Sequence, residues 1–273
     1  MKYIKLFESF EEYDPYELMI TPPNKKAEML IQEINKKDKA NLNLVNDLIV
    51  LGAKDWQYED GSTALHSCAR YNHPGIAGIL IDAGSDLNLQ DNDGWTALHY
   101  CAMWNYPEIL RILIDAGADL NMHDEYGWTA LHRCANRNRP EIARMLIDAG
   151  ADLNIQSTNG WTALHMSALH NHSRILRMLI DAGADLNIQN EYGWTALHWC
   201  AKFNRPEIVK MLIDAGADLN IQDDNGNNPL HLASVYRSDN IVDLLLRNGS
   251  DPSIKNNDGR SYKEVMGWKQ EYN

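Results

Sequence analysis

The chain has 273 residues, of which 44% are hydrophobic and 23% are charged, a balance typical of a folded globular protein rather than a disordered one. Its formal net charge of −13 disfavours contact with nucleic-acid phosphates and favours basic or mixed protein surfaces as partners. No stretch reaches the roughly 18 consecutive apolar residues of a membrane-spanning helix, so we expect no membrane partner.

Residues 1–24 precede the periodic part of the sequence and are interpreted as an N-terminal leader, either flexible or a targeting tag. Met1–Phe10 interleaves charged and apolar residues and lacks the continuous apolar core of a secretory signal, so a cytoplasmic location is expected. The same ten residues resemble short N-terminal tags of tailed-phage proteins destined for the capsid interior. Two interpretations therefore stand: a tag that directs the chain to a virion or host cell, and an amphipathic leader that docks on the first repeat.

Residues 25–57 contain two amphipathic segments, Lys25–Lys37 and Leu42–Leu51, and end in the sequence Leu51-Gly52-Ala53. This pattern is a degenerate form of Ala116-Gly117-Ala118 further along the chain. Because the end units of a stacked array need a polar outer face, we interpret residues 25–57 as an N-terminal capping repeat.

From residue 58 onward the sequence repeats with a period of 33 residues. The motif Gly-Trp-Thr-Ala-Leu-His spans Gly94–His99 and recurs, with substitutions, in the other repeats. The period is set by glycines at seven equivalent positions: Gly61, Gly94, Gly127, Gly160, Gly193, Gly226 and Gly259.

One period predicts two short helices joined to the next period by a loop. Apolar residues at helical spacing predict a first helix from Thr96 to about Met103. Pro107 opens a second helix, which Gly117 ends as a left-handed cap. Asp93-Gly94 is the kind of dipeptide that favours a hairpin tip.

At these residues the chain resembles the ankyrin repeat family, whose 33-residue period carries Thr-Pro-Leu-His-x-Ala. Alanine replaces the proline in five repeats and only Pro229 retains it. The resemblance implies an all-α solenoid of stacked helix-turn-helix units with projecting β-hairpin loops. It assigns six repeats to residues 58–257 and a truncated C-terminal cap to residues 258–273, where Ser261–Trp268 is helix-like.

The resemblance also implies a monomeric protein-interaction module or adaptor that uses its concave helix face and hairpin tips. The periodic histidines, such as His99, are expected to fasten each turn to its helix and to bind no metal, because equivalent residues of packed helices lie too far apart to converge on one ion. Four cysteines at one repeat position are expected to be reduced core thiols. We find no catalytic group and no cofactor motif, and we predict that the chain is not an enzyme.

The tryptophans at the position after the loop glycine are not needed to explain stacking. They either pack against the neighbouring loop or form a ladder with gaps into which a partner's side chain inserts. Varied residues at the loop tips and first-helix ends extend this candidate surface. The candidate partner-binding residues are Trp95, Trp128, Trp161, Trp194, Tyr126, Tyr192, Trp104, Arg137, His170 and Phe203.

Overall fold

The structure, a computed structural model, describes residues 15–36 and 40–265. This part of the chain contains helices and turns, a π-helical turn at Ile49–Ala53, and no β-strand. The helices are α1 (Pro15–Ile20), α2 (Pro23–Asn35), α3 (Leu42–Leu48), α4 (Ala64–Tyr71), α5 (Pro74–Asp82), α6 (Ala97–Trp104), α7 (Pro107–Asp115), α8 (Ala130–Arg137), α9 (Pro140–Asp148), α10 (Ala163–Leu169), α11 (Ser173–Asp181), α12 (Ala196–Lys202), α13 (Pro206–Asp214), α14 (Pro229–Val235) and α15 (Asp239–Arg247).

The chain divides into two compact units, Met1–Glu125 and Tyr126–Asn273. In the first unit α2 packs on α3 and α4, α4 packs on α6, and α5 packs on α7. In the second unit α8, α10, α12 and α14 pack in sequence as one layer, while α9, α11, α13 and α15 form the other. Each unit therefore has the stacked two-helix architecture that the 33-residue period predicts.

The first helix of each repeat begins at a threonine or asparagine whose backbone is held by the histidine three residues later. In the third repeat Thr129 caps α8, and its backbone N–H donates to Nδ1 of His132 at 3.1 Å. Such reciprocal capping satisfies amide groups that a helix start leaves unpaired. The predicted helix from Thr96 to about Met103 is confirmed as α6, Ala97–Trp104, with Thr96 as its N-cap.

The second helix of the predicted period, α7, begins and ends as predicted. Pro107 occupies the first turn of α7, where its missing N–H costs no hydrogen bond. Gly117 follows the helix with φ of 85°, a left-handed conformation that favours glycine. The N–H groups of Gly117 and Ala118 donate back to the carbonyls of Ile114 and Leu113, each at 3.0 Å.

The loop between repeats is closed by a turn rather than by paired strands. The Gly94 N–H donates to the Asp91 carbonyl at 2.9 Å, and the Asp91 N–H donates to the Trp95 carbonyl at 3.0 Å. The Gln90 side-chain amide then donates to two carbonyls, Gly94 at 2.9 Å and His123 of the next loop at 2.8 Å. Equivalent glutamines recur in the second unit, so each of these side chains links two consecutive loops.

The four cysteines are fully buried thiols outside any disulfide, as expected for core residues. Burial raises the thiol pKa of Cys68, Cys101 and Cys200 far above its ordinary value. None of the helices within the described ranges combines the length and the apolar character needed to cross a bilayer.

The structure also describes part of each chain end. Part of the leader is helical, because α1 lies within residues 1–24; its Leu18 is 3% exposed, and the Met19 carbonyl accepts a hydrogen bond from Nζ of Lys26 at 3.2 Å. The proposed tag, Met1–Phe10, lies outside the described residues. At the other end residues 262–265 form a turn, and residues 266–268 of the segment Ser261–Trp268 are likewise outside them.

Candidate partner-binding surface

The backbones of three motif tryptophans, Trp95, Trp161 and Trp194, are each fixed from two sides. The Trp194 N–H donates to Oδ1 of Asn190 in its own loop at 3.0 Å. Its carbonyl oxygen accepts a hydrogen bond from Nε2 of His165 in the preceding repeat at 2.9 Å. His66 contacts the Trp95 carbonyl, and His132 the Trp161 carbonyl, at the same distance. The motif histidines therefore set the tryptophan position.

These contacts determine which ring nitrogen of a motif histidine carries the proton. Nδ1 of His165 accepts from the Thr162 backbone N–H at 3.1 Å, so Nε2 carries the proton that is donated to the Trp194 carbonyl. Burial lowers the pKa of His165 to about 4 and that of His198 to about 3, so both rings are neutral near pH 7. The expected fastening role of the histidines is confirmed. Over residues 15–36 and 40–265 no group of three or more metal-ligating side chains converges.

The indole rings pack against side chains of their own chain. The Trp161 ring lies 4.7 Å from the Trp199 ring, and the Trp194 ring lies 4.5 Å from Trp199, measured between centroids. In the first unit Trp95 contacts Tyr100 at 5.0 Å, and in the second Arg133 lies over the Trp128 ring at 4.7 Å. These distances are those of direct aromatic and cation–π contacts.

The expected gap between neighbouring tryptophans is therefore filled where Trp161 and Trp194 face each other. Trp199 contacts both rings, so a side chain of the chain itself occupies the space that the ladder interpretation assigned to a partner. Sequence reasoning missed the column to which Trp199 belongs, the position directly after the motif histidine. Its signal is visible in the sequence, because this position varies widely, whereas the histidine before it is invariant and the position after it holds only small residues. The residues of the column are Ser67, Tyr100, Arg133, Met166, Trp199 and Leu232.

Trp194 differs from the other three motif tryptophans. It is 3% exposed, and its indole N–H donates to Oδ2 of Asp223 at 2.9 Å. Burial raises the pKa of Asp223, while the hydrogen bonds from Trp194, Asn225 and Asn227 oppose that shift. Trp194 is thus built into the core, whereas Trp95, Trp128 and Trp161 are half-buried.

A groove of ≈460 Å³ lies in the second unit, between the first helices and the loops. It brings together four of the ten candidate residues: Tyr126, Trp128, Trp161 and His170. Its other walls come from α8 and α10 and from one loop: Arg133, Asn136, Ser157, Thr158, Asn159, Met166 and Leu169. This volume falls within the range typical of binding pockets.

The lining of this groove is aromatic, polar and cationic, and none of its lining residues is Asp or Glu. His170 stacks with His172 at 5.6 Å between ring centroids. Burial lowers the pKa of His170, and electrostatic repulsion from His172 and Arg137 lowers it further. Arg133 is consequently the principal fixed charge of the groove near pH 7.

The other candidates do not line this groove. Trp104 and Tyr192 are exposed side chains, and so is Arg137 at the end of α8. Phe203 is 41% exposed and lies parallel to the Trp199 ring at 5.9 Å. Nζ of Lys202 lies between these aromatics, 5.0 Å from the Trp194 ring centroid and 5.5 Å from those of Trp199, Phe203 and Tyr236.

Helix pairs recur every 33 residues and are joined by the capping histidines and the glutamine-linked loops. These features define a helical tandem-repeat protein. A family model described as ankyrin repeats in three copies matches residues 30–124, 81–157, 117–190 and 183–256. The chain belongs to the ankyrin repeat family. Its fold class is accordingly the all-α ankyrin repeat solenoid predicted from the sequence, and ankyrin repeats are in general protein–protein interaction modules.

Among solved structures the chain is similar to one titled the ankyrin repeat domain of Bcl-3, a unique member of the IkappaB protein family. The TM-score is 0.72 at 29% sequence identity, and the match covers 76% of this chain and 95% of that chain. A comparison with curated protein sequences finds no match.

Proposed function

We propose that this chain is a non-enzymatic adaptor that binds a protein partner through the groove of the second unit, on the concave face expected of the fold. The observation that carries the proposal is the convergence of Tyr126, Trp128, Trp161 and His170 on one pocket. Half-buried aromatic side chains beside an arginine are the residue types that dominate binding energy at protein interfaces.

The fixed backbone of this surface favours binding. The Trp161 N–H donates to Oγ of Ser157 at 3.1 Å, and its carbonyl accepts from His132. A side chain held on a rigid scaffold loses little conformational entropy when a partner binds. Varied side chains on uniform repeats would then determine which protein is recognised, and we propose that the adaptor works as a cytoplasmic monomer.

Tyr126 and Tyr192 offer a matched pair for testing the groove. They occupy equivalent loop positions and are similarly exposed, 58% and 53%, but only Tyr126 lines the groove. We expect Tyr126→Ala to weaken binding to the adaptor's partner about 30-fold, the effect of an interface hot spot. Tyr192→Ala should bind almost as well as the unaltered chain.

The measurement is quantitative affinity capture with the full chain and the two variants, followed by titration of each captured protein. Far-UV circular dichroism establishes that both variants keep the helical content of the unaltered chain. A captured protein that is lost with Tyr126→Ala and retained with Tyr192→Ala supports the groove. Equal loss with both variants, or capture dominated by nucleic acid, would contradict the proposal.

The alternative of a virion-associated or host-directed protein rests on residues 1–10. No contact of the described residues favours it, so it stays a prediction. Fusion of residues 1–24 to a reporter tests it. Packaging or relocation of the reporter is the outcome it requires.

A further inference from the structure

A second pocket, of ≈500 Å³, lies in the first unit between α2 and the first repeat. We name it the acidic pocket. It is lined by side chains from α2, the first loop, α4 and the start of α6, and none of the ten candidate residues takes part. The side chains that give it its chemistry are Glu28, Tyr58, Glu59, Asp60, Tyr71 and Tyr100.

The pocket carries an excess of negative charge, because its three carboxylates face a single arginine, Arg70. Asp60 accepts hydrogen bonds from the Ser62 hydroxyl at 2.6 Å and the Ser62 N–H at 3.0 Å, and these bonds lower its pKa. Glu28 and Glu59 are exposed and form no ion pair with any described residue. At neutral pH the pocket therefore attracts a cation.

Aromatic rings supply the remaining walls. The guanidinium of Arg70 already lies over the Tyr71 ring, 5.6 Å from its centroid, which shows that this wall accommodates a planar cation. Tyr100 is fixed by the hydrogen bond from its hydroxyl to Oδ2 of Asp91 at 2.7 Å. Its ring is therefore held in place before any ligand arrives.

Tyr58 provides an observation independent of the charges. Its hydroxyl oxygen is inaccessible to solvent and has no hydrogen-bond partner among the described residues. Burial raises the pKa of this hydroxyl, and the nearby carboxylates of Glu28 and Asp60 raise it further. A buried hydroxyl without a partner destabilises the free protein, and a ligand that displaces the side chains covering it and donates an N–H to it would remove that cost.

We propose that the acidic pocket binds the guanidinium group of an arginine side chain on a protein partner. A guanidinium presents several N–H donors in one plane, so it pairs with carboxylates and donates to a hydroxyl oxygen while stacking on aromatic rings. The pocket volume is within the range that accommodates such a group. This site lies wholly in the first unit and does not depend on the groove of the second.

The test is a titration of the full-length chain with Nα-acetyl-arginine methylamide, followed by amide resonances in two-dimensional NMR. Shifts are expected at residues 28, 58–60 and 70–71, whereas resonances of residues 126–170 report separately on the proposed groove. The neutral isostere Nα-acetyl-citrulline methylamide should bind at least about tenfold more weakly, and the lysine analogue about fivefold more weakly. Equal binding of citrulline, or shifts confined to other surfaces, would overturn the proposal; equal binding of lysine would overturn its assignment to arginine.

Two variants separate binding from structure. The first is a double variant, Glu28→Gln with Glu59→Gln. It alters only exposed carboxylates and should weaken arginine binding about fivefold, as removal of two surface charges does. Tyr58→Phe removes the hydroxyl that has no partner, so thermal stability should be maintained or raised while arginine binding weakens about fivefold. Unchanged arginine affinity in both stable variants refutes the site.

Discussion

Acid should destabilise this protein through its buried histidines. The pKa values of His165 and His198 fall to about 4 and about 3 in the fold, from 6.5 for an exposed imidazole. Below pH 6.5 these histidines therefore bind protons in the unfolded chain but not in the folded chain. The stability that the neutral rings contribute is complete above that pH and is lost as the pH falls toward the folded values.

The magnitude follows from the shifts. Between pH 7.5 and pH 5 the unfolded state gains nearly one proton at each site. Summed over that pH range, this amounts to about 2 kcal/mol per histidine at 1.36 kcal/mol per pH unit. The pKa values of His66 and His231 are also lowered by burial and act in the same direction. Asp47 and Asp223 have raised pKa values and act in the opposite direction.

Urea unfolding at pH 7.5 and pH 5, followed by circular dichroism, measures the total. Comparison with His165→Gln isolates one site, because the opposing carboxylates are common to both proteins. The variant should be less stable at pH 7.5 but lose about 2 kcal/mol less than the unaltered chain between the two pH values. If both proteins lose the same free energy, His165 is not held neutral and the capping argument is refuted.

Three further outcomes are expected. Trp199→Ala should lower the free energy of unfolding by about 2–3 kcal/mol, because it removes the ring contacts of a half-buried side chain with Trp161, Trp194 and Phe203. Trp104→Ala, with half of its side chain exposed, should cost less than about 1 kcal/mol in the same urea titration. Gly127→Ala should reduce the melting temperature more than Gly117→Ala. Both residues have positive φ, but a Cβ at Gly127 would lie 2.7 Å from a backbone nitrogen, whereas a Cβ at Gly117 would meet nothing within 4 Å. Equal losses of melting temperature would contradict the close approach at Gly127. The four buried cysteine thiols should react with a thiol reagent only after unfolding, and rapid modification of the native chain would contradict their burial.

Features that depend only on neighbouring residues in the chain could be predicted from the sequence alone. Gly117 and Pro107 mark the ends of a helix by their own backbone chemistry, and α6 and α7 form where they predict. His99 and Thr96 belong to one capping unit within a single turn, which a three-residue spacing makes recognisable.

Features that join two repeats were harder to predict. Trp199 approaches Trp161 because the two lie on adjacent repeats, and a period alone does not determine which side chain crosses from one repeat to the next. The acidic pocket likewise depends on how α2 of the degenerate repeat packs against α4. That packing is set by tertiary contacts, and the approach of Glu28 to Tyr58 follows from it.

The hydrogen bonds between repeats also bear on how such a chain can change in length. His165 reaches a carbonyl 29 residues ahead, and Gln189 reaches one 33 residues ahead, with the same separations at equivalent positions within the second unit. Duplication or loss of one whole period therefore leaves each of these histidine and glutamine donors opposite an equivalent acceptor. A deletion of part of a period would instead leave amide and imidazole groups unpaired. Recombination between the similar coding segments can thus add or remove complete recognition units without redesign of the scaffold.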